Sequence, residues 1–244
     1  MIANSTEVKN NFGKYLRMIQ HEDVIITSNG TRIARLTVYK DNYAKEDTGY
    51  TIREGSVAYE MPPRKVTYEE FLEISEESQQ RLEYIDGEIY LLASPKVEHQ
   101  IILGDMHIMF HEWFKGKKCR PMLAPFDIKL KRQNGERNVV QPDLMVICDL
   151  DENRNEKDKY EGVPVLAVEI ISEGTRKKDY IKKFDLYMSC GIKEYWIVNP
   201  INKEVQVFHF EDSEIIDNAT FKGKDKVKSY VFDGFALSVD SIFR

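Results

Sequence analysis

Apolar positions along the chain fall into blocks with two rhythms, and each change of rhythm marks an element. Val8, Phe12, Tyr15, Leu16 and Ile19 recur at helical spacing, behind Ser5 or Thr6 as cap and Glu7 near the positive helix end. Val24-Ile25-Ile26-Thr27 predicts a strand, Ser28-Asn29-Gly30-Thr31 a turn, and Ile33 to Val38 the return strand. One helix and one hairpin bury too little to be stable alone, so residues 1–42 are expected to dimerise or dock elsewhere. Residues 43–63 are polar, lack periodicity and end in Met61-Pro62-Pro63, which is linker chemistry.

Residues 64–244 read as one larger domain. Thr67 with Glu70 makes a capping box for a short acidic helix to about Glu77. Leu82 to Leu92 predicts two strands turning at Asp86-Gly87. Ser94-Pro95 opens a long helix to about Trp113, with Ile101, Ile102, Met106, Met109, Phe110 and Trp113 apolar. Strand-like runs follow near 119–130, 140–148 and 164–171. After them come a helix over about 176–189, a buried strand from Glu194 to Val198, and short antiparallel strands from 204 to 243. The expected fold class is α+β or α/β: a small helix-plus-hairpin module, then a central mixed β-sheet flanked by helices.

Composition narrows this further. Hydrophobic content of 42% with 31% charged residues fits a folded globular chain. No apolar run reaches the roughly 20 residues of a membrane span, and the first residues lack the basic start and apolar stretch of a secretory signal. Cys119, Cys148 and Cys190 suit neither a disulfide framework nor a zinc spacing, so reduced thiols in a cytoplasmic protein are expected. The net charge of −6 is uneven. Residues 1–40 hold six basic and three acidic residues, a balance of +3, which leaves −9 for the rest. That hints at a polyanionic partner for the first segment.

The candidate chemistry lies in two apolar runs that each carry one acid. Val140-Gln141-Pro142-Asp143-Leu144-Met145-Val146-Ile147 holds Asp143, and Pro164 to Ile171 holds Glu169. An ionised carboxylate is costly to bury without a partner, and a divalent metal, Mg²⁺ or Mn²⁺, is one explanation. Neighbouring strands could bring the two acids within about 5 Å. A backbone carbonyl of Ile170 or Ile171 could add an oxygen, and a nearby lysine could offset phosphate charge. Asp179, Lys183 and Tyr187 share one helix stripe, although a surface ion pair is the plainer reading of the first two. His107 and His111 are four apart on a helix, with His99 two turns earlier, but the Glu of a metalloprotease helix is missing. Lys115, Lys117, Lys118 and Arg120 could meet a phosphate backbone or only solvent.

Two resemblances follow from these residues. Ser5 to Phe12, Tyr15-Leu16, Val24 to Thr27 and Asn29-Gly30 resemble the N-terminal module of Phd/YefM-type antitoxins. That implies a dimer that binds DNA through the first helix, with Lys9, Asn10 and Lys14 as contacts; a solvated helix face is the competing reading. Pro142-Asp143 and Glu169-Ile170-Ile171 resemble the two halves of a PD-(D/E)xK nuclease motif, with Ile171 standing where the lysine belongs. A longer series is similar to the Uma family of predicted bacterial endonucleases. It comprises Glu83 to Tyr90, Ser94-Pro95 with His99, Pro142-Asp143-Leu144, Pro164 to Ser172, Thr175, Asp179, Lys183, Tyr187 and Gly191 to Pro200. This resemblance implies a restriction-endonuclease-like fold, Asp143 and Glu169 as metal ligands, and Lys183 as a migrated catalytic lysine. It places Glu83 and His99 near the same site in supporting roles.

The function expected from all this is a metal-dependent endonuclease fused to an antitoxin-like module, as a homodimer or higher homo-oligomer. The competing class is an inactive nuclease fold acting as a DNA-binding autoregulator or partner-binding module. The isoleucine at position 171 is its best support.

Overall fold

The computed structural model describes residues 2–10, 15, 24–28, 31–36, 65–172 and 174–244. The chain divides into two compact units, Met1–Gly49 and Tyr50–Arg244. In the first, β1 (Ile2–Asn4) leads directly into α1 (Ser5–Asn10), and β2 (Val24–Ser28) is followed by β3 (Thr31–Leu36). β2 is antiparallel to β3, as the turn signal predicts, and also takes β1 as a parallel neighbour. The cap of α1 is Asn4 rather than Ser5 or Thr6: its Oδ1 accepts from the Thr6 amide at 2.9 Å. Ala3, Val8, Tyr15 and Val24 are buried together. Lys9 and Asn10 lie on α1, whereas Lys14 and the 43–63 linker fall outside the described residues.

The second unit begins with α2 (Tyr68–Glu77), whose capping box is complete: Thr67 accepts from the Glu70 amide and Glu70 from the Thr67 amide. β4 (Leu82–Ile85) and β5 (Glu88–Leu91) form a hairpin through Asp86 and Gly87, both at positive φ. The long helix α3 covers Val97–Phe114, starting slightly later than Ser94-Pro95 suggests. Next come β6 (Arg120–Leu123), β7 (Ile128–Lys131), β8 (Arg137–Val140), β9 (Leu144–Ile147) and β10 (Leu166–Ile170). Helical residues then run from 176 to 189, first as a π-helix (Lys178–Lys183) and then as α4 (Phe184–Ser189). β11 (Glu194–Asn199), β12 (Glu204–Glu211), β13 (Glu214–Lys222), β14 (Lys226–Lys228), β15 (Ala236–Ser238) and α5 (Val239–Ile242) complete the unit.

Its central sheet has the order β13-β12-β11-β10-β9-β6, with β10 and β11 parallel and its other pairings antiparallel. The mixed sheet is therefore as expected. A smaller sheet has the order β5-β4-β8-β7. Alternation along the strands serves two covered faces. Leu166, Val168 and Ile170 join Trp196, Val198 and the α3 residues Met106 and Phe110 in one cluster. Ala167, Ile171, Tyr195 and Ile197 join Leu186 and Tyr187 in the other. Burial on both sides makes these strands read as continuous apolar runs.

Two expectations are corrected here. The run at 119–130 is two strands in different sheets, because Ala124-Pro125 interrupts it and proline offers no amide to a ladder. Cys119 and Cys148 form a disulfide, and only Cys190 is free among the cysteines. The β6–β9 register pairs Arg120 with Ile147, which sets the two flanking cysteines face to face. Their separation of 29 residues hides this cross-strand neighbourhood. Among the described residues no helix is long and apolar enough to cross a membrane.

Candidate active site

Strand register brings the two acids together. Val168 pairs with Leu144 in the antiparallel β9–β10 ladder, so Glu169 falls opposite Asp143 one step on. Asp143 is held through one oxygen: Oδ2 accepts from the Ile170 amide at 2.8 Å and lies 3.1 Å from His99 Nε2, near the start of α3. Glu169 is likewise held through one oxygen: Oε1 accepts from Lys183 Nζ at 2.7 Å and from the Tyr187 hydroxyl at 2.6 Å. Asp143 Oδ1 and Glu169 Oε2 have no hydrogen-bond partner among the described residues.

Glu83 enters from the smaller sheet. It sits on β4, fully buried, where its Oε1 accepts from the Gln141 amide and from Lys183, and its Oε2 from Lys178 at 2.6 Å. Lys178 and Lys183 are five residues apart. In an α-helix that spacing separates side chains by about 140°. The π-helical turn between them removes most of the offset, so both ammonium groups reach one carboxylate. Asp179 is buried on the same helix, so the surface pair considered for Asp179 and Lys183 is not what forms.

The charges of this cluster are strongly coupled. Burial pushes the Glu83 carboxyl up, but Lys183 and Lys178 outweigh it and hold the pKa down at about 2. Glu169 moves the other way, to about 8. Burial dominates, Lys183 only partly offsets it, and Asp143, Asp179 and Glu83 add to the rise. The asymmetry follows from the hydrogen bonds: Glu83 has two lysines, whereas Glu169 shares one. Burial disfavours the Lys183 cation, but Glu169, Glu83 and Asp179 raise its pKa. Burial likewise works against a charged His99, and Asp143 reverses that. Among the described residues, His99 Nδ1 and Gln141 Oε1 are buried without a hydrogen-bond partner.

The structure thus gathers Glu83, His99, Asp143, Glu169 and Lys183 into one connected cluster. Sequence reasoning missed Lys178 and Gln141. The basic run from Arg176 to Lys183 was the available signal for the first; nothing local marks the second. His107 and His111 have ring centroids 6.1 Å apart. Among the described residues no three His, Cys, Asp or Glu side chains converge as a preformed metal cage. Ile171 is a core residue, 4% exposed, outside the cluster.

This mixed sheet, with paired acids at the ends of adjacent strands, defines a restriction-endonuclease-like fold. A solved structure described as a putative nuclease belonging to DUF820, from Anabaena variabilis ATCC 29413, shares it. Its TM-score is 0.59 at 21% identity, over 73% of this chain and 97% of that one. The Uma2 family, described as "Putative restriction endonuclease", matches residues 68–240, and the chain belongs to it. An uncharacterised protein of Synechocystis sp. (strain ATCC 27184 / PCC 6803 / Kazusa) is 27% identical over 186 residues. The match covers 75% of this chain and 94% of that protein.

Proposed function

We propose that the larger unit is a metal-dependent endonuclease centred on Asp143, Glu169 and Lys183. The observation that carries this reading is the meeting of Asp143 and Glu169 across the β9–β10 ladder, each with one oxygen that has no hydrogen-bond partner among the described residues. Burial, together with the nearby carboxylates of Asp143, Asp179 and Glu83, raises the Glu169 pKa to about 8 despite Lys183, so the cluster is short of positive charge at Glu169. A divalent cation between the two acids would offset that penalty. Asp143 Oδ1 and Glu169 Oε2, the oxygens without hydrogen bonds, would hold Mg²⁺ or Mn²⁺, with oxygen ligands of the kind these hard ions prefer. Bound there, the ion would polarise a phosphate oxygen and lower the pKa of water.

The chain's own residues have separable tasks. Lys183 offsets charge developing on the scissile phosphate and fixes Glu169. Glu83 positions Lys183, and Lys178 neutralises the second Glu83 oxygen. His99 and the Ile170 amide orient Asp143, and the Tyr187 hydroxyl orients Glu169. The isoleucine at 171 does not argue for a dead site on this reading, since Lys183 already supplies an ammonium 2.7 Å from Glu169. The test is incubation of the purified protein with plasmid and single-stranded DNA in Mg²⁺, Mn²⁺ or EDTA, beside Asp143→Ala and Glu169→Ala. Metal-dependent cleavage lost in both variants supports the reading. Cleavage unchanged by Asp143→Ala refutes it.

For the first unit we propose an antitoxin-like DNA-binding and dimerising role, with Lys9, Asn10 and Lys14 as backbone contacts. Its support is the sequence resemblance and the +3 balance of residues 1–40. A Lys9→Glu/Lys14→Glu variant should lose duplex affinity in a mobility-shift titration; equal affinity would remove the proposal.

A further inference from the structure

The two edges of the central sheet are built differently. β6 closes one side with four residues, one of them Pro121, which has no amide to offer a further strand. β13 closes the other side with nine residues and holds neither proline nor glycine. A β-bulge leaves Ile216 without a register partner, but Asp217 to Lys222 pair with β12 residue for residue. Among the described residues only β12 pairs with β13, so the outer side of this strand has no neighbour. Seven of its nine side chains are exposed, including Ile215 at 47% and Ile216 at 50%. A long open edge of this kind is a template for one more strand.

Charge along the edge selects the strand that fits. Residues 211–217 hold Glu211, Asp212, Glu214 and Asp217 with no basic residue, and none of these acids has an ion-pair partner among the described residues. The opposite end holds Lys222 and Lys224, with Lys226 and Lys228 following in the chain. Lys224 is unpaired among the described residues, and Lys222 meets Glu204 at 2.6 Å while its side chain stays 59% exposed. Asp225, the acid at that end, accepts the Lys222 amide in the turn. A strand with this polarity complements a copy of itself only when the copy runs the other way. Antiparallel pairing sets the acidic end of each strand beside the basic end of the other, whereas parallel pairing sets acid beside acid. The regular stretch from Asp217 to Lys222 is only about 20 Å long. Its contact therefore belongs with weak, concentration-dependent interfaces rather than obligate ones.

We propose that β13 is a self-association edge: a second copy of this chain pairs its own β13 antiparallel to it, across a two-fold axis near Ala219, and joins two six-stranded sheets. Glu169 shares a lateral row with Ile197, Gln206 and Thr220. On the nuclease reading, the two acid clusters of the dimer would then lie seven strand spacings apart, roughly 34 Å along the sheet, or one duplex turn. The interface itself does not depend on that reading. The full-length chain would be followed by sedimentation velocity at rising concentration and at low and high salt. Association should grow with concentration and weaken with salt. Glu214→Lys/Asp217→Lys, which makes both ends of the strand basic, should weaken it by at least about tenfold. Position is read separately. In a Cys190→Ser background, a short bismaleimide should join Asn218→Cys to its copy but leave the exposed control Glu156→Cys single. A monomer at every concentration would overturn the interface, as would association that the charge variant leaves unchanged. Dimers that link no better through position 218 than through position 156 would place the contact elsewhere in the chain and overturn it too. Asp143→Ala should associate as the wild type does, so loss of the nuclease reading would leave this interface standing.

Discussion

Replacing Glu83 with glutamine removes one charge from the most tightly paired carboxylate in the cluster while keeping its shape. Glu83 is 0% exposed, and its oxygens meet Lys183 at 2.7 Å and Lys178 at 2.6 Å. Its pKa falls from 4.5 to about 2 despite burial. At 1.36 kcal/mol per pKa unit, that fall corresponds to about 3 kcal/mol of stability at neutral pH. Breaking a buried ion pair from one side costs about 3–5 kcal/mol, which agrees. The sign fixes the pH window. The folded pKa lies below the unfolded one, so the contribution is complete above pH 4.5 and is lost as pH falls through about 2. At pH 3.5 roughly 2 kcal/mol should remain. Trp113 and Trp196, the chain's two tryptophans, both lie in the larger unit, so urea unfolding followed by their fluorescence reports on that unit. Metal-free Glu83→Gln should be less stable by about 3 kcal/mol at pH 7, with a smaller gap at pH 3.5. A variant as stable as the wild type at pH 7, or a gap that widens on acidification, would refute the reasoning.

Two further predictions concern other parts of the larger unit. Lys183→Met should lower single-turnover cleavage by about 10²–10³-fold while metal still binds; a rate within a factor of a few of wild type would remove Lys183 from the chemistry. The Cys119–Cys148 bond spans 29 residues, so its reduction should cost about 3–4 kcal/mol in urea unfolding; an unchanged midpoint with reductant would show that it contributes nothing.

Much of this arrangement is legible in the sequence because local chemistry coincides with global position. The Thr67/Glu70 capping box, the Asp86-Gly87 turn and the apolar period of α3 are each decided within a few residues. Asp143 and Glu169 stand out because acids are costly inside apolar runs. What the sequence hides depends on register and helix pitch. A regular 3.6-residue helix would aim Lys178 away from Lys183, and only the π-helical turn sends both to Glu83. The partnership of Cys119 with Cys148 exists only once β6 and β9 are aligned. Ile171, conspicuous as the missing lysine of a motif, is simply an inward core residue at the end of β10.

The central claim is that Asp143 and Glu169 together hold one divalent ion. Calorimetric titration of metal-free protein with Mn²⁺ tests it most directly, with Asp143→Ala and Glu169→Ala alongside. The wild type should bind one ion per chain and both variants should lose that binding while remaining folded. Failure of the wild type to bind Mn²⁺, or binding left intact by either substitution, would contradict the assignment.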